Sequence, residues 1–102
     1  MSITEIAQDR KNRFTQSLVQ KYNFREVEEM FIALAETNMF FQESNILSGE
    51  IYTIDDPRQI VQLLRDLKAN RDFKASHKKQ MATIERTIKE YALYLRDEPE
   101  IA

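Results

Sequence analysis

The chain has 102 residues, a formal net charge of −2 and 42% hydrophobic residues, which is typical of one globular domain. It holds no cysteine, one histidine and one glycine, so disulfide scaffolds, cysteine-ligated metals, two-histidine metal sites and glycine-rich phosphate loops are excluded. It has no run of 18 apolar residues and no signal-peptide pattern, so we expect a soluble, cytoplasmic protein.

The scarcity of glycine and proline favours helices over strands, which need frequent turn residues. The first predicted helix covers residues 3–21, with Ser2 or Thr4 as its N-cap. Because residues 8–12 include no apolar side chain, we expect residues 1–12 to fray.

The second predicted helix follows Asn23, which forms a capping-box pattern with Glu26 and precedes an apolar stripe from Val27 to Phe41. Residues 44–50 read as a loop. Residues 51–54 are β-branched and apolar, and no second such run exists to pair with them, so we expect an extended, buried connector.

The third predicted helix begins at Asp56-Pro57, an N-cap followed by proline at the first helical position, and stops at Asn70. A short helical bridge near 71–75 leads to a last helix over 77–96, capped by Ser76, and then to a frayed tail at 97–102. The prediction is one all-α domain over 1–102, a compact bundle of four main helices with a short bridge. Its strongest stripes predict five buried core residues: Leu64, Leu67, Ile84, Ile88 and Leu95.

Charge is unevenly distributed along the chain. Residues 26–57 carry eight acids and no base, whereas residues 65–89 carry eight bases and three acids. On the predicted last helix, most of the bases fall opposite the apolar stripe. A basic surface of this kind can bind the phosphate backbone of DNA or can be an ordinary solvated helix face. The candidate DNA-binding residues are Arg65, Lys68, Arg71, Lys74, His77, Lys78, Lys79, Arg86 and Lys89.

An alternative interpretation is a protein-interaction or oligomerisation module that uses the acidic second helix. Its candidate contacts are Glu29 and Glu36, together with Phe40 and Leu93, which lie off the apolar stripes of their helices. A third hypothesis is an acidic decoy that mimics nucleic acid.

Catalysis has little support in the sequence. The adjacent Ser76 and His77 make a poor dyad, and helix capping already explains Asp55 and Asp56. We therefore predict a protein that is not an enzyme and that uses no cofactor, metal or small-molecule substrate.

Three segments carry a resemblance to a known family: residues 51–57 (IYTIDDP), 67–74 (LKANRDFK) and 88–95 (IKEYALYL). In this order they resemble the N-terminal core-binding (SAM-like) domain of phage integrases and tyrosine recombinases. Similar modules are appended to bacterial restriction and mobile-element proteins. The likeness covers residues 50–96. It implies a non-catalytic helical module that embraces DNA, or docks onto a partner, beside a separate catalytic domain.

Overall fold

Five α-helices and one short 3-10 turn form the fold in residues 2–97, which the computed structural model describes. No strand occurs in this range, so the predicted all-α class is confirmed. None of the described helices is long and apolar enough to cross a membrane. The helices are α1 (Ile3–Lys21), α2 (Phe24–Glu43), α3 (Pro57–Ala69), α4 (Arg71–Ser76) and α5 (Met81–Asp97), and the 3-10 turn is Ile51–Thr53.

Local capping signals set where the helices begin. The Ser2 side chain accepts a hydrogen bond from the amide of Glu5 at 3.2 Å. Asn23 and Glu26 form the predicted capping box, with reciprocal bonds of 2.8 and 3.3 Å. These bonds satisfy amides that have no partner inside a helix, so the starts of α1 and α2 follow from a few residues each.

Residues 3–12, where we expect fraying, belong to the continuous helix α1. Within its polar stretch at residues 8–13, side chains on successive helical turns contact each other. Gln8 donates to Asn12 at 3.1 Å, and Asp9 pairs with Arg13 at 3.0 Å. Such (i, i+4) pairs support a helix that lacks an apolar stripe. Met1 and the predicted tail beyond Asp97 lie outside the described residues.

The last helix begins at Met81 rather than at residue 77, so this prediction is wrong by one turn. The amide of His77 donates to the carbonyl of Phe73 at 2.9 Å and ends α4, and Ser76 is the last residue of α4 rather than a cap. Residues 77–80 form a turn closed by a 2.9 Å bond from Gln80 to His77. Lys78 and Lys79 therefore lie in this turn and not on α5.

α5 is the central helix, and it packs against α3 on one side and α2 on another. Lys68, near the end of α3, pairs with Glu85, near the start of α5, so these two helices run antiparallel. Arg86 approaches Glu26 and His77 approaches Glu36, so α5 and the turn before it also run opposite to α2. All five predicted core residues are buried between these helices, at 7% exposure or less.

Ile51 and Tyr52 of the connector at residues 51–54 are buried as predicted, whereas Thr53 is exposed and Ile54 is half-buried. Its first three residues form a 3-10 turn instead of an extended segment. No strand within residues 2–97 can pair with an extended backbone here, whereas in the turn the Thr53 amide donates to the Glu50 carbonyl and the Ile54 amide donates to the Ile51 carbonyl. Side chains from three helices bond further backbone groups of the connector: Asn38 accepts from the Ile51 amide (2.9 Å), Arg10 donates to the Tyr52 carbonyl (2.7 Å) and Tyr91 donates to the Ile54 carbonyl (3.0 Å).

Candidate interaction site

The predicted basic surface is interrupted by acids that the fold brings into it. Lys68 and Lys89 both reach the Glu85 carboxylate, each at 3.0 Å. Hydrogen bonds from Lys89 and Lys68 hold the pKa of Glu85 below its ordinary value. Two of the candidate DNA contacts therefore already share a counter-charge within the protein.

Arg86 lies at the junction of α1, α2 and α5. Its guanidinium is 5.6 Å from the centre of the Tyr22 ring and 3.9 Å from Glu26. The Tyr22 hydroxyl donates to Glu90 at 3.1 Å, and desolvation together with this bond raises the pKa of Tyr22. Arg86 thus contributes to holding helices together, in addition to any role at a surface.

His77 is half-buried in a cluster of side chains from α2 and α4. Its ring stacks on Phe73 at a centroid distance of 4.1 Å, and its Nε2 lies 3.5 Å from a carboxylate oxygen of Glu36. Phe73 also contacts Phe40, at 4.7 Å between ring centres. The cluster therefore engages Glu36 and Phe40, two predicted partner contacts, within the molecule. Glu29 stays exposed and lies 3.7 Å from Arg25.

Eight of the nine predicted DNA contacts are exposed, and five of these make no ion pair with any residue in the range 2–97. One is near the end of α3, and the others lie on α4 and in the turn that follows it. They are Arg65, Arg71, Lys74, Lys78 and Lys79. The structure therefore leaves a smaller basic cluster than the sequence predicted, centred on α4.

A different feature is more distinctive, namely an open groove of about 720 Å³ between α3 and α5. We call it the α3/α5 groove. Its walls include two exposed apolar residues, Val61 at 42% and Leu93 at 38% exposure. Its lining is otherwise apolar, apart from one glutamine and four cations, and includes no acid among the described residues. The cations are Arg58, Arg65, Lys89 and Arg96.

Most of the groove cations have a weak local partner. Arg58 lies 3.4 Å from Asp56, Lys89 lies 3.0 Å from Glu85, and Arg96 lies 3.1 Å from Asp97. The three cations are more than half exposed in these pairs. Exposed pairs of this kind contribute roughly 0–1 kcal/mol, so they can be exchanged for the acids of a bound partner.

Of the groove residues, only Leu93 is a partner contact predicted from the sequence. The sequence analysis did not predict the groove itself, although the helical spacing of its residues is visible in the sequence. Arg58, Val61 and Arg65 recur along α3, and Lys89, Leu93 and Arg96 recur along α5, each at (i, i+3) or (i, i+4). Each set forms an exposed stripe next to the buried apolar stripe of its helix. The two exposed stripes become one surface only because α3 packs against α5.

Comparisons with known proteins assign no family. The chain matches no protein-family model, no curated protein and no solved structure. The resemblance to core-binding domains therefore stays a prediction, and the interpretation of the site depends on its own side chains.

Proposed function

We propose that this protein is a protein-interaction module that binds an amphipathic helix of a partner in the α3/α5 groove. One observation supports the proposal: the groove exposes apolar side chains between two walls whose described residues include four cations and no acid. An exposed apolar strip bounded by charge of one sign is a usual form of protein-binding surface.

The dimensions of the groove suit a helix of about two turns. Its α3 wall extends from Pro57 to Arg65, which is ~12 Å at 1.5 Å per residue. Two anchor residues seven positions apart on a bound helix are ~10 Å apart and fit within this length. The cations on both walls favour a helix with acids on either side of its anchors, so the affinity should fall as salt increases.

A synthetic helical peptide with leucine anchors seven residues apart and flanking glutamates tests this proposal. We expect wild-type protein to bind the peptide at low salt, and the double variant Val61→Glu, Leu93→Glu to bind roughly tenfold or more weakly. The new carboxylates repel the peptide and would be desolvated on binding. Fluorescence anisotropy of a labelled peptide measures both affinities.

The matched control is Val19→Glu, because Val19 on α1 is 50% exposed and lies away from the groove. This variant should bind the peptide as the wild type does. Equal affinities for the wild type and the double variant would contradict the proposal, as would a failure of the wild type to bind at low salt.

A second candidate function is contact with the DNA backbone, as the sequence resemblance implies. It is favoured by the exposed cluster of Arg71, Lys74, Lys78 and Lys79, which lacks acidic partners within the described part of the chain. Each phosphate contact would displace a condensed counterion, so the affinity would fall steeply with salt.

For this candidate, the double variant Lys74→Glu, Lys79→Glu should abolish the retardation of duplex DNA in a native gel at low salt. Both side chains are exposed, so the helix content measured by circular dichroism should not change. Arg25→Glu is the control, since Arg25 is exposed on α2, outside the cluster. Wild-type protein that fails to retard DNA at low salt would exclude this function.

A further inference from the structure

The outward face of α2 carries apolar side chains that the fold does not cover. Phe24, Ile32 and Met39 are 81%, 51% and 59% exposed. They are eight and seven residues apart, so they lie on one side of the helix. An exposed row of large apolar residues on an otherwise well-packed helix indicates an unfilled contact.

Two acids, Glu28 and Glu43, lie on the same side of α2 as this row. At 100° per residue, Glu28, Ile32, Ala35, Met39 and Glu43 fall within a sector of roughly 80°. All five residues are exposed. We call this strip the α2 face. Arg25, which is also exposed, falls in the same sector beside Glu28 and lies 3.7 Å from Glu29. The α2 face is therefore an amphipathic strip with apolar anchors in which two acids, Glu28 and Glu43, outnumber one base.

The α2 face and the α3/α5 groove are complementary in charge and in length. Glu28 and Glu43 would meet a groove whose described lining holds four cations and no acid. Ile32 and Met39 are ~10 Å apart along the helix, close to the ~12 Å length of the α3 wall. Both surfaces also expose apolar side chains, which association would remove from water.

From this complementarity we infer that a second copy of this chain occupies the groove, with its α2 face inserted between α3 and α5. The inference depends on the proposed function, because it names the partner of the same groove. No described residue of α2 lines the α3/α5 groove, so the α2 face does not occupy the groove of its own molecule. Ile32 instead lies near Lys79 and Thr83, with which it lines a separate pocket. The contact is therefore between copies and joins two different surfaces.

A contact between two different surfaces closes into a reciprocal pair or a ring when the rotation between copies allows it, and otherwise adds copies head to tail. In each case the wild-type protein should form species larger than a monomer, in amounts that increase with concentration and decrease with added salt. Sedimentation velocity on the full chain, at low and high salt, measures this distribution.

Two variants separate the two surfaces. Ile32→Glu with Met39→Glu disables the α2 face, and Val61→Glu with Leu93→Glu disables the groove. All four positions are exposed, so we expect unchanged helix content by circular dichroism. Each variant alone should remain a monomer, with self-affinity reduced roughly tenfold or more. Val19→Glu, which touches neither surface, should assemble as the wild type does.

Mixing the two variants is the decisive measurement. The α2 variant keeps an intact groove and the groove variant keeps an intact α2 face, so a mixture should form a one-to-one dimer and nothing larger. A mixture that stays monomeric would overturn the inference, as would a variant that assembles alone or a wild type that is monomeric at low salt.

The peptide experiment distinguishes this outcome from failure of the proposed function. If the wild-type groove binds the acidic peptide but the protein does not self-associate, the groove is a docking site and its occupant is another protein. If neither peptide nor second copy binds, both conclusions fail together.

Discussion

Replacing Ile88 with alanine should lower the free energy of unfolding by about 2–5 kcal/mol. Ile88 is fully buried on α5 and lies under the α3/α5 groove. The truncation removes core methylene and methyl groups and leaves a cavity that the antiparallel helices cannot fully close. Urea unfolding followed by circular dichroism measures the change.

Two milder variants calibrate this result. Ile88→Val, which removes one methylene, should cost about 0.5–1.5 kcal/mol. Val61→Ala, on the exposed wall of the same groove, should stay within about 0.5 kcal/mol of the wild type. A loss below about 1 kcal/mol for Ile88→Ala would contradict the packing of α5 against α3.

Replacing Phe14 with alanine should destabilise the protein by about 3–5 kcal/mol. Phe14 is a fully buried residue of α1 whose ring contacts aromatic rings of the connector and of α5. Its ring centre lies 5.1 Å from that of Tyr91, 5.7 Å from Tyr94 and 6.4 Å from Tyr52. The variant loses a large apolar side chain and three aromatic contacts at once.

Phe24 provides the matched control, because the same substitution there removes a side chain that is 81% exposed. Phe24→Ala should change the stability by less than about 0.5 kcal/mol. Similar losses at Phe14 and Phe24 would mean that the aromatic cluster does not carry the attachment of α1. The same denaturant titration compares both variants.

Most of the fold could be predicted from the sequence because its signals are local. Asn23 with Glu26, and Asp56 with Pro57, mark the first turns of α2 and α3 within four residues of chain. The apolar stripes of α3 and α5 identify buried residues through helical periodicity alone. These features need no knowledge of which helices are neighbours.

The remaining features depend on contacts between distant residues. The start of α5 was misplaced because His77 folds back onto Phe73 and ends the preceding helix. The sequence also does not show that Lys68, a predicted DNA contact, lies beside Glu85, 17 positions later. The α3/α5 groove was missed for the same reason, since it exists only where two stripes meet.

The buried connector has a consequence for how the molecule unfolds. Its hydrogen bonds join residues 13, 37 and 42 positions apart, and they come from α2, α5 and α1. Unfolding α1 and α2, which precede the connector, or α5, which follows it, would break these hydrogen bonds and leave their donors and acceptors without partners. The stability of the helices before the connector is therefore coupled to that of α5. Amide hydrogen exchange in α1 and in α5 should follow one shared, global opening.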